Sequence, residues 1–439
     1  MKNSIYKYKM RLACPGSGSV DVSLLKHAKL NKEELEKLQL SKMRALVRHV
    51  KEHVPYYTRV FSEILPEDIQ TLSDCEKLPI LTKDDIRNHF EELISDECAV
   101  KSRRLMTTGG STGVPLKLYH DKRFPTEVIA DRVLPWWGCD PACDKAFIYR
   151  KVRTGWKASL NSIMWWPTRR IFLDASLLTT ERMEDFLKKL QSIRPPLLQG
   201  YVGAVYEFAK YCEGKGIDFS FLRAVWVTSA PLSESNRHYM EGVLGAPVYD
   251  QYGCSEVFWL AIECREQKGL HVMSDIRSLE IVGEDNASMP KGEYGDIVVT
   301  DLENRAFPLI RYKNGDRGRY LKSECSCGLP FPLLDKVKGR ESECLRLRDG
   351  GVIAGEFLTT IFDDSPDAVE SFQIRQEADY SILLICVVGC DKTKRLICEE
   401  KRQQLSELVR GNVEVRLRFV ERIDHEGGKI RYIVSNVES

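Results

Sequence analysis

Between Lys32 and Val54 the apolar residues Leu35, Leu38, Met43, Leu46, Val47 and Val50 recur at helical spacing among Lys, Glu and Arg. That period predicts an amphipathic helix, which Pro55 ends. A second helix is expected after Thr82, whose hydroxyl suits a cap and whose followers Asp84 and Asp85 suit the positive end. Thr180 heads a third, through Met183, Phe186, Leu187, Leu190 and Ile193, closed by Arg194-Pro195-Pro196. Short apolar runs at 196–199, 224–228 and 247–249 alternate with helical stretches such as Tyr201 to Lys215, which predicts βαβ units. From Leu279 to Tyr320 the texture changes to strands and turns, at 279–282, 295–300 and 309–312, a β-rich subdomain. Beyond Gly339-Arg340 come strand patterns at 345–347, 352–353, 371–376 and 380–388 and a charged helix near 393–410. The expected fold class is therefore α/β. A large N-terminal domain, residues 1–340, combines βαβ layers with the β-rich subdomain, and a small α+β domain, 341–439, follows a short hinge near Arg340.

Composition narrows the function classes. The 439 residues are 43% hydrophobic and 29% charged, proportions that exclude global disorder. A formal charge of +1 supplies no overall basic field, so no nucleic-acid partner is expected. No apolar run approaches the roughly 18 residues that cross a bilayer, and the opening residues lead into no apolar export segment. The expected compartment is the cytoplasm, where the 14 cysteines read as thiols, some of them suited to a metal.

Four islands could carry chemistry. The stretch Thr107, Thr108, Gly109, Gly110, Ser111, Thr112, Gly113 follows a short strand at 103–106 and is either a phosphate cradle of inward N–H groups and hydroxyls or a plain surface turn. It lacks the Gly-Lys-Ser/Thr of a Walker loop. Tyr249-Asp250-Gln251-Tyr252-Gly253-Cys254-Ser255-Glu256 follows an apolar strand; an aromatic ring there suits a base and Glu256 suits Mg²⁺, unless Glu256 is merely a solvated strand end. Asn314-Gly315 predicts a tight hairpin turn presenting Asp316, a carboxylate suited to a ribose diol. Gly427-Gly428-Lys429 delivers one lysine from a flexible tail segment.

As an ordered set, together with Val54-Pro55-Tyr56-Tyr57, Leu78-Pro79-Ile80-Leu81-Thr82-Lys83 and Gln199-Gly200-Tyr201, these islands make the chain resemble the adenylate-forming ligase superfamily, in its phenylacetate:CoA ligase branch with the CapK-type capsule proteins. The resemblance covers nearly the whole chain. It implies an ATP-dependent ligase that turns a carboxylic acid into an acyl-adenylate, releases pyrophosphate and passes the acyl group to CoA, an amine or an amino sugar, with a role in surface polysaccharide synthesis among the outcomes. It further implies that 107–113 hold phosphates, that Asp250, Gln251, Tyr252, Gly253 and Ser255 form the adenine motif with Glu256 near Mg²⁺, and that Asp316 holds the ribose. Arg340 would precede the hinge, and Lys429 would reach the forming adenylate from a C-terminal lid that rotates between the two steps. Three departures stand against the family pattern: Leu116 where a loop lysine often follows the proline, Glu343 at the hinge acid, and Ser229-Ala230-Pro231-Leu232 in place of a Glu-Pro variant.

Cys264 and His271 form one potential ligand pair and Cys325 and Cys327 another, the N/S set that a tetrahedral Zn²⁺ takes, though buried free thiols give the same pattern. The resemblance to capsule-type ligases favours zinc, stapling the β-rich subdomain to the nucleotide motif. Cys254, Cys344, Cys386, Cys390 and Cys398 read as core thiols. Trp136-Trp137, Trp165-Trp166 and Phe258-Trp259 are candidates for an acyl pocket or ordinary core, with Phe258, Trp259 and Tyr201 the best placed. His120 and His238 show no evident partner, and Arg169-Arg170 reads as a solvated turn. The competing function is a zinc-stapled binding or scaffold protein that keeps the ligase fold without catalysis.

Overall fold

A computed structural model of the chain describes residues 1–14, 16–107, 116–150, 155–337, 345–353, 358, 361–362, 364–365, 368–409, 413–423 and 433–437. Its centre is an eight-stranded sheet in the order Leu333–Leu334, Leu270–Val272, Ala261–Glu263, Val248–Tyr252, Ala224–Thr228, Leu197–Tyr201, Lys145–Tyr149, Arg170–Asp174. The last five are mutually parallel. The first three extend the sheet antiparallel. Ala224 to Val227 are buried without alternation, as a parallel strand covered on both faces requires.

The covering helices behave as their apolar period predicts. Thr180–Ile193 buries Met183, Phe186, Leu187 and Leu190 in one cluster with Val205 and Phe208 of Val202–Cys212 and Met240 and Leu244 of Glu234–Leu244. Gly200 lets the helix after its strand come close: a Cβ there would meet Val205 Cγ2 at 2.7 Å and Ile148 at 3.0 Å.

Lys32–His53 carries a reciprocal Asn31–Glu34 capping box. Pro55 ends it and also opens a further short helix, Pro55–Val60, where its missing N–H costs nothing. Thr82 caps Lys83–Asn88 as expected. These helices pack over a three-stranded antiparallel sheet, Arg277–Val282, Gly295–Asp301, Tyr312–Gly318, in a single core that includes Met43, Leu46, Tyr57, Val299, Ile310 and Tyr312.

Here two sequence expectations are corrected. The third strand begins at Tyr312, not Leu309, and Asn314-Gly315 makes no hairpin turn. Asp296 pairs with Arg317 and Val298 with Lys313, so Asn314, Gly315 and Asp316 bulge out opposite Ile297 alone, with Gly315 at φ +93°. Arg169-Arg170 is likewise no solvated turn. Arg170 opens the edge strand Arg170–Asp174, and its guanidinium lies 3.5 Å from the Trp165 ring centroid.

The C-terminal part is a four-stranded sheet, Val415–Val420, Ile382–Val387, Ser371–Gln376, Ile433–Ser435, with helix Lys392–Leu408 capped by Asp391. Its core takes in Leu177 of the larger part, and Arg346 pairs with Glu207 at 3.1 Å. Arg340 and Glu343 lie outside the described residues. Cys386 and Cys398 are buried there as expected, but Cys390 is exposed, because it falls in the turn between strand and helix rather than in the strand.

Candidate active site

Along the parallel strands the chain moves outward from Lys145–Tyr149 to Arg170–Asp174, then crosses back to Leu197–Tyr201 on the other side. Order reverses at Lys145–Tyr149, and open α/β sheets place their crevices beyond the carboxyl ends of strands near such a reversal. Tyr149 and Tyr201 end the two strands there, their rings edge-on at 4.8 Å. Two strands further along, Val248–Tyr252 delivers the second island to the same edge.

Tyr252 meets the bulge. Its hydroxyl donates to Asp316 Oδ2 at 2.8 Å and accepts from Asn314 Nδ2 at 2.7 Å. The Asp316 N–H donates to Asn314 Oδ1 at 3.0 Å, which fixes the turn of the bulge. Islands 64 residues apart thus share one polar knot. Beside it, the Tyr312 hydroxyl donates to Glu256 Oε1 at 2.9 Å, with both residues buried. Burial and the neighbouring Glu256 carboxylate push the Tyr312 phenol far up, so it remains a donor. The loop between Gly253 and Trp259 is tight: Cys254 N–H donates to the Val257 carbonyl at 3.2 Å, Trp259 has φ +61°, and a Cβ on Gly253 would stand 3.0 Å from the Trp259 nitrogen. Only glycine fits there without displacing the backbone.

His120 has a partner after all. Its Nε2 lies 3.0 Å from the Ser255 carbonyl, and its ring lies 4.7 Å from that of Phe258. Burial lowers its pKa, and since a carbonyl only accepts, the neutral ring carries its proton on Nε2. The partner is 135 residues away, so no local pattern reports it. Tyr312 was also missed as a functional residue; its place beside the Asn314–Asp316 island is the signal.

Asp250 sits one step inside the strand, away from the knot. Its N–H donates to Glu263 Oε2 at 2.8 Å, and Arg237 pairs with Glu263 at 2.7 Å. Burial, then the Glu263 charge, raises the Asp250 pKa to about 7. Gln251 and Ser255 flank Tyr252 along the strand and loop, both half-buried. Trp259 leans on Trp226 at 5.0 Å. Trp137 is core, stacked on Tyr249 at 4.8 Å, and Trp136 lies over His271. Thr107 ends a strand paired with Lys117–Asp121, and Thr108 to Gly113 come next in the sequence. Those residues and Lys429 lie outside the described set.

The four candidate metal ligands do come together. Cys264, His271, Cys325 and Cys327 present ligand atoms all within 4.8 Å of one another. Cys264 Sγ is 3.6 Å from Cys325 Sγ, too far for a disulfide and close to the ~3.8 Å edge of a tetrahedron with ~2.3 Å metal–sulfur bonds. His271 Nδ1 donates to the Phe331 carbonyl at 2.9 Å, which turns Nε2 toward Cys327 Sγ at 3.3 Å. Backbone N–H groups of Glu266 and Leu329 point at the Cys264 and Cys327 sulfurs. This donor set is compatible with Zn²⁺. His271 lies on the antiparallel extension of the main sheet, Cys264 just follows a strand of it, and Cys325 and Cys327 come from the loop beside it.

Residues 345–436 match the CapK C-terminal domain family. Over most of its length the chain is similar to CapK and to phenylacetate–CoA ligases. It is 24% identical over 422 residues to Protein CapK of Staphylococcus aureus, covering 92% of this chain and 90% of that one. It is 26% identical over 360 residues to phenylacetate-coenzyme A ligase of Thermus thermophilus, 79% of each. The fold is that of 2-hydroxyisobutyryl-CoA ligase, solved with 2-HIB-AMP and CoA in the thioesterification state: TM-score 0.64, 19% identity, 94% of this chain and 92% of that one. The relatives named as coenzyme A ligases favour an enzyme over a non-catalytic scaffold.

Proposed function

We propose that this chain is an ATP-dependent, AMP-forming acid ligase of the cytoplasm, with CoA as the acyl acceptor. The observation that carries the reading is the Tyr252–Asn314–Asp316 knot standing beside the Tyr312–Glu256 pair at the carboxyl edge of the sheet. It brings an aromatic ring and two carboxylates, Asp316 and Glu256, into one region, which suits a base, a ribose diol and a cation.

A carboxylate is a poor electrophile, so the acid oxygen attacks the α-phosphorus of ATP, pyrophosphate leaves, and a mixed anhydride forms. The thiol of CoA then attacks the acyl carbon and AMP leaves. Charge that gathers on phosphorus must be met by fixed donors in a site that excludes water. In this reading Asp316 holds the ribose, Tyr252 packs against adenine, and Thr107 with Thr108, Gly109, Gly110, Ser111, Thr112 and Gly113 holds the phosphates. Glu256 would bind Mg²⁺, which when present neutralises phosphate charge. In the same reading Arg340 would precede the hinge and Lys429 would meet the adenylate from the lid. The relatives named as CoA ligases support CoA over an amine or amino sugar.

The test is exchange of labelled pyrophosphate into ATP across a panel of aryl and short hydroxy acids. Exchange with at least one acid is expected, and its loss in Lys429→Ala. Product mass with CoA, then with amines in its place, separates the acceptors. No exchange with any acid, together with no ATP binding, overturns the reading.

A further inference from the structure

Among the described residues most exposed apolar side chains are scattered, but one helix gathers them. Gly155–Trp165 exposes Trp156 at 70%, Leu160 at 53%, Ile163 at 69% and Met164 at 43%, and Trp166 just beyond it is 63% exposed. Positions 156, 160, 163 and 164 share one helical face, so the exposure is a continuous stripe with a tryptophan near each end. Trp165 turns the other way, 6.0 Å from Tyr6 and beneath Arg170. The stripe is therefore not the helix's core face left bare; the helix has a separate inner contact.

Its surroundings are basic. Among the described residues that flank the helix, Arg150, Arg169 and Arg170 are basic and none between 150 and 170 is acidic. The neighbouring helix Lys2–Ala13 carries Lys2, Lys7, Lys9 and Arg11, again with no acid. Part of this charge is offset: Asp144 pairs with Lys2 and Arg169, and Asp21 lies 3.7 Å from Lys7. Lys9 sits at the stripe, donating to the Ile163 and Trp166 carbonyls and lying 5.7 Å from the Trp166 ring centroid. For a chain whose overall charge is only +1, this is a local basic rim around an apolar face.

We propose that the Gly155–Trp165 helix and Trp166 dock on an anionic membrane surface, lying in its interface. Eleven residues reach only about 16 Å, half of the ~30 Å hydrocarbon core, so the helix lies on the bilayer and does not span it. Aromatic and aliphatic residues on one face with Lys and Arg around them are the chemistry of interfacial helices, and anionic headgroups match the rim. A second copy of the chain suits the face poorly, because a two-fold contact would set one basic rim against another. The inference does not depend on the ligase reading.

The full-length protein is sedimented with vesicles of phosphatidylcholine alone and of phosphatidylcholine mixed with phosphatidylglycerol. At least about tenfold tighter binding to the mixed vesicles is expected, weakening as salt screens the rim. Ile163→Glu and, separately, Leu160→Glu are expected to lower that binding by about tenfold or more. Circular dichroism and melting temperature should stay unchanged, since both side chains already face solvent. Equal or absent binding to the two vesicle types overturns the proposal, as does binding indifferent to both substitutions. A concentration-dependent dimer that Ile163→Glu dissolves overturns it in favour of a second copy.

Discussion

Tyr312 shows how one hydroxyl can matter without touching substrate. Its bond to Glu256 Oε1 orients a carboxylate that would otherwise have a choice of rotamers in a buried space. Tyr312→Phe removes the bond and keeps the ring in its core. The expected outcome is a fall of about 10- to 100-fold in pyrophosphate exchange at unchanged melting temperature, with the loss partly recovered at high Mg²⁺. Asp250 gives a prediction in pH. Its folded pKa, about 7, lies above the ordinary carboxylate value near 4 because burial and Glu263 disfavour the charge. Such a group contributes its stability fully below the unfolded pKa, and that contribution is lost as pH rises through the folded pKa. Urea unfolding of the protein and of Asp250→Asn should therefore show the parent losing stability relative to the variant between about pH 4 and 7, and a constant difference above that window.

Among the elements, Gly200 lets its strand and the helix that follows approach closely. Gly200→Ala places a methyl against Val205 and Ile148 and should cost on the order of 1–3 kcal/mol, read as a lower urea midpoint at constant slope. The helix Lys32–His53, the capped turn at Thr82 and the buried strand 224–228 were legible in the sequence because each is specified locally, by apolar period, cap and run length. Asn314-Gly315 was misread because the same pair serves a hairpin turn or a bulge. The choice lies with strand Gly295–Asp301, whose Ile297 faces the bulge. The short strands Ala261–Glu263 and Leu270–Val272 carry too few residues for any period, and pairing with Val248–Tyr252 and with each other defines them.

For the molecule as a whole, the Cys264–His271–Cys325–Cys327 cluster makes a prediction independent of catalysis. Purified protein should carry about one zinc per chain, and Cys327→Ser or prolonged chelation should remove it and lower the melting temperature by several degrees, because a metal held there would fasten the 325–327 loop to the sheet edge. Metal-free protein that melts at the same temperature would refute the staple. What could be read from the linear chain was the alternation of helices and strands, the order of the chemical islands, and a ligand set that pattern alone left ambiguous between metal and buried thiols. Each is a matter of residue type and spacing, which solvent and backbone geometry impose locally. Which groups meet was settled by folding. The Tyr252–Asp316 and His120–Ser255 contacts join residues 64 and 135 positions apart, the burial of Asp250 beside Glu263 follows from the pairing of two neighbouring strands, and the outward stripe of Trp156, Leu160 and Ile163 follows from which face of its helix packs inward. Hydrogen bonds and burial act over a few ångströms in space, and separation along the chain leaves no trace of them.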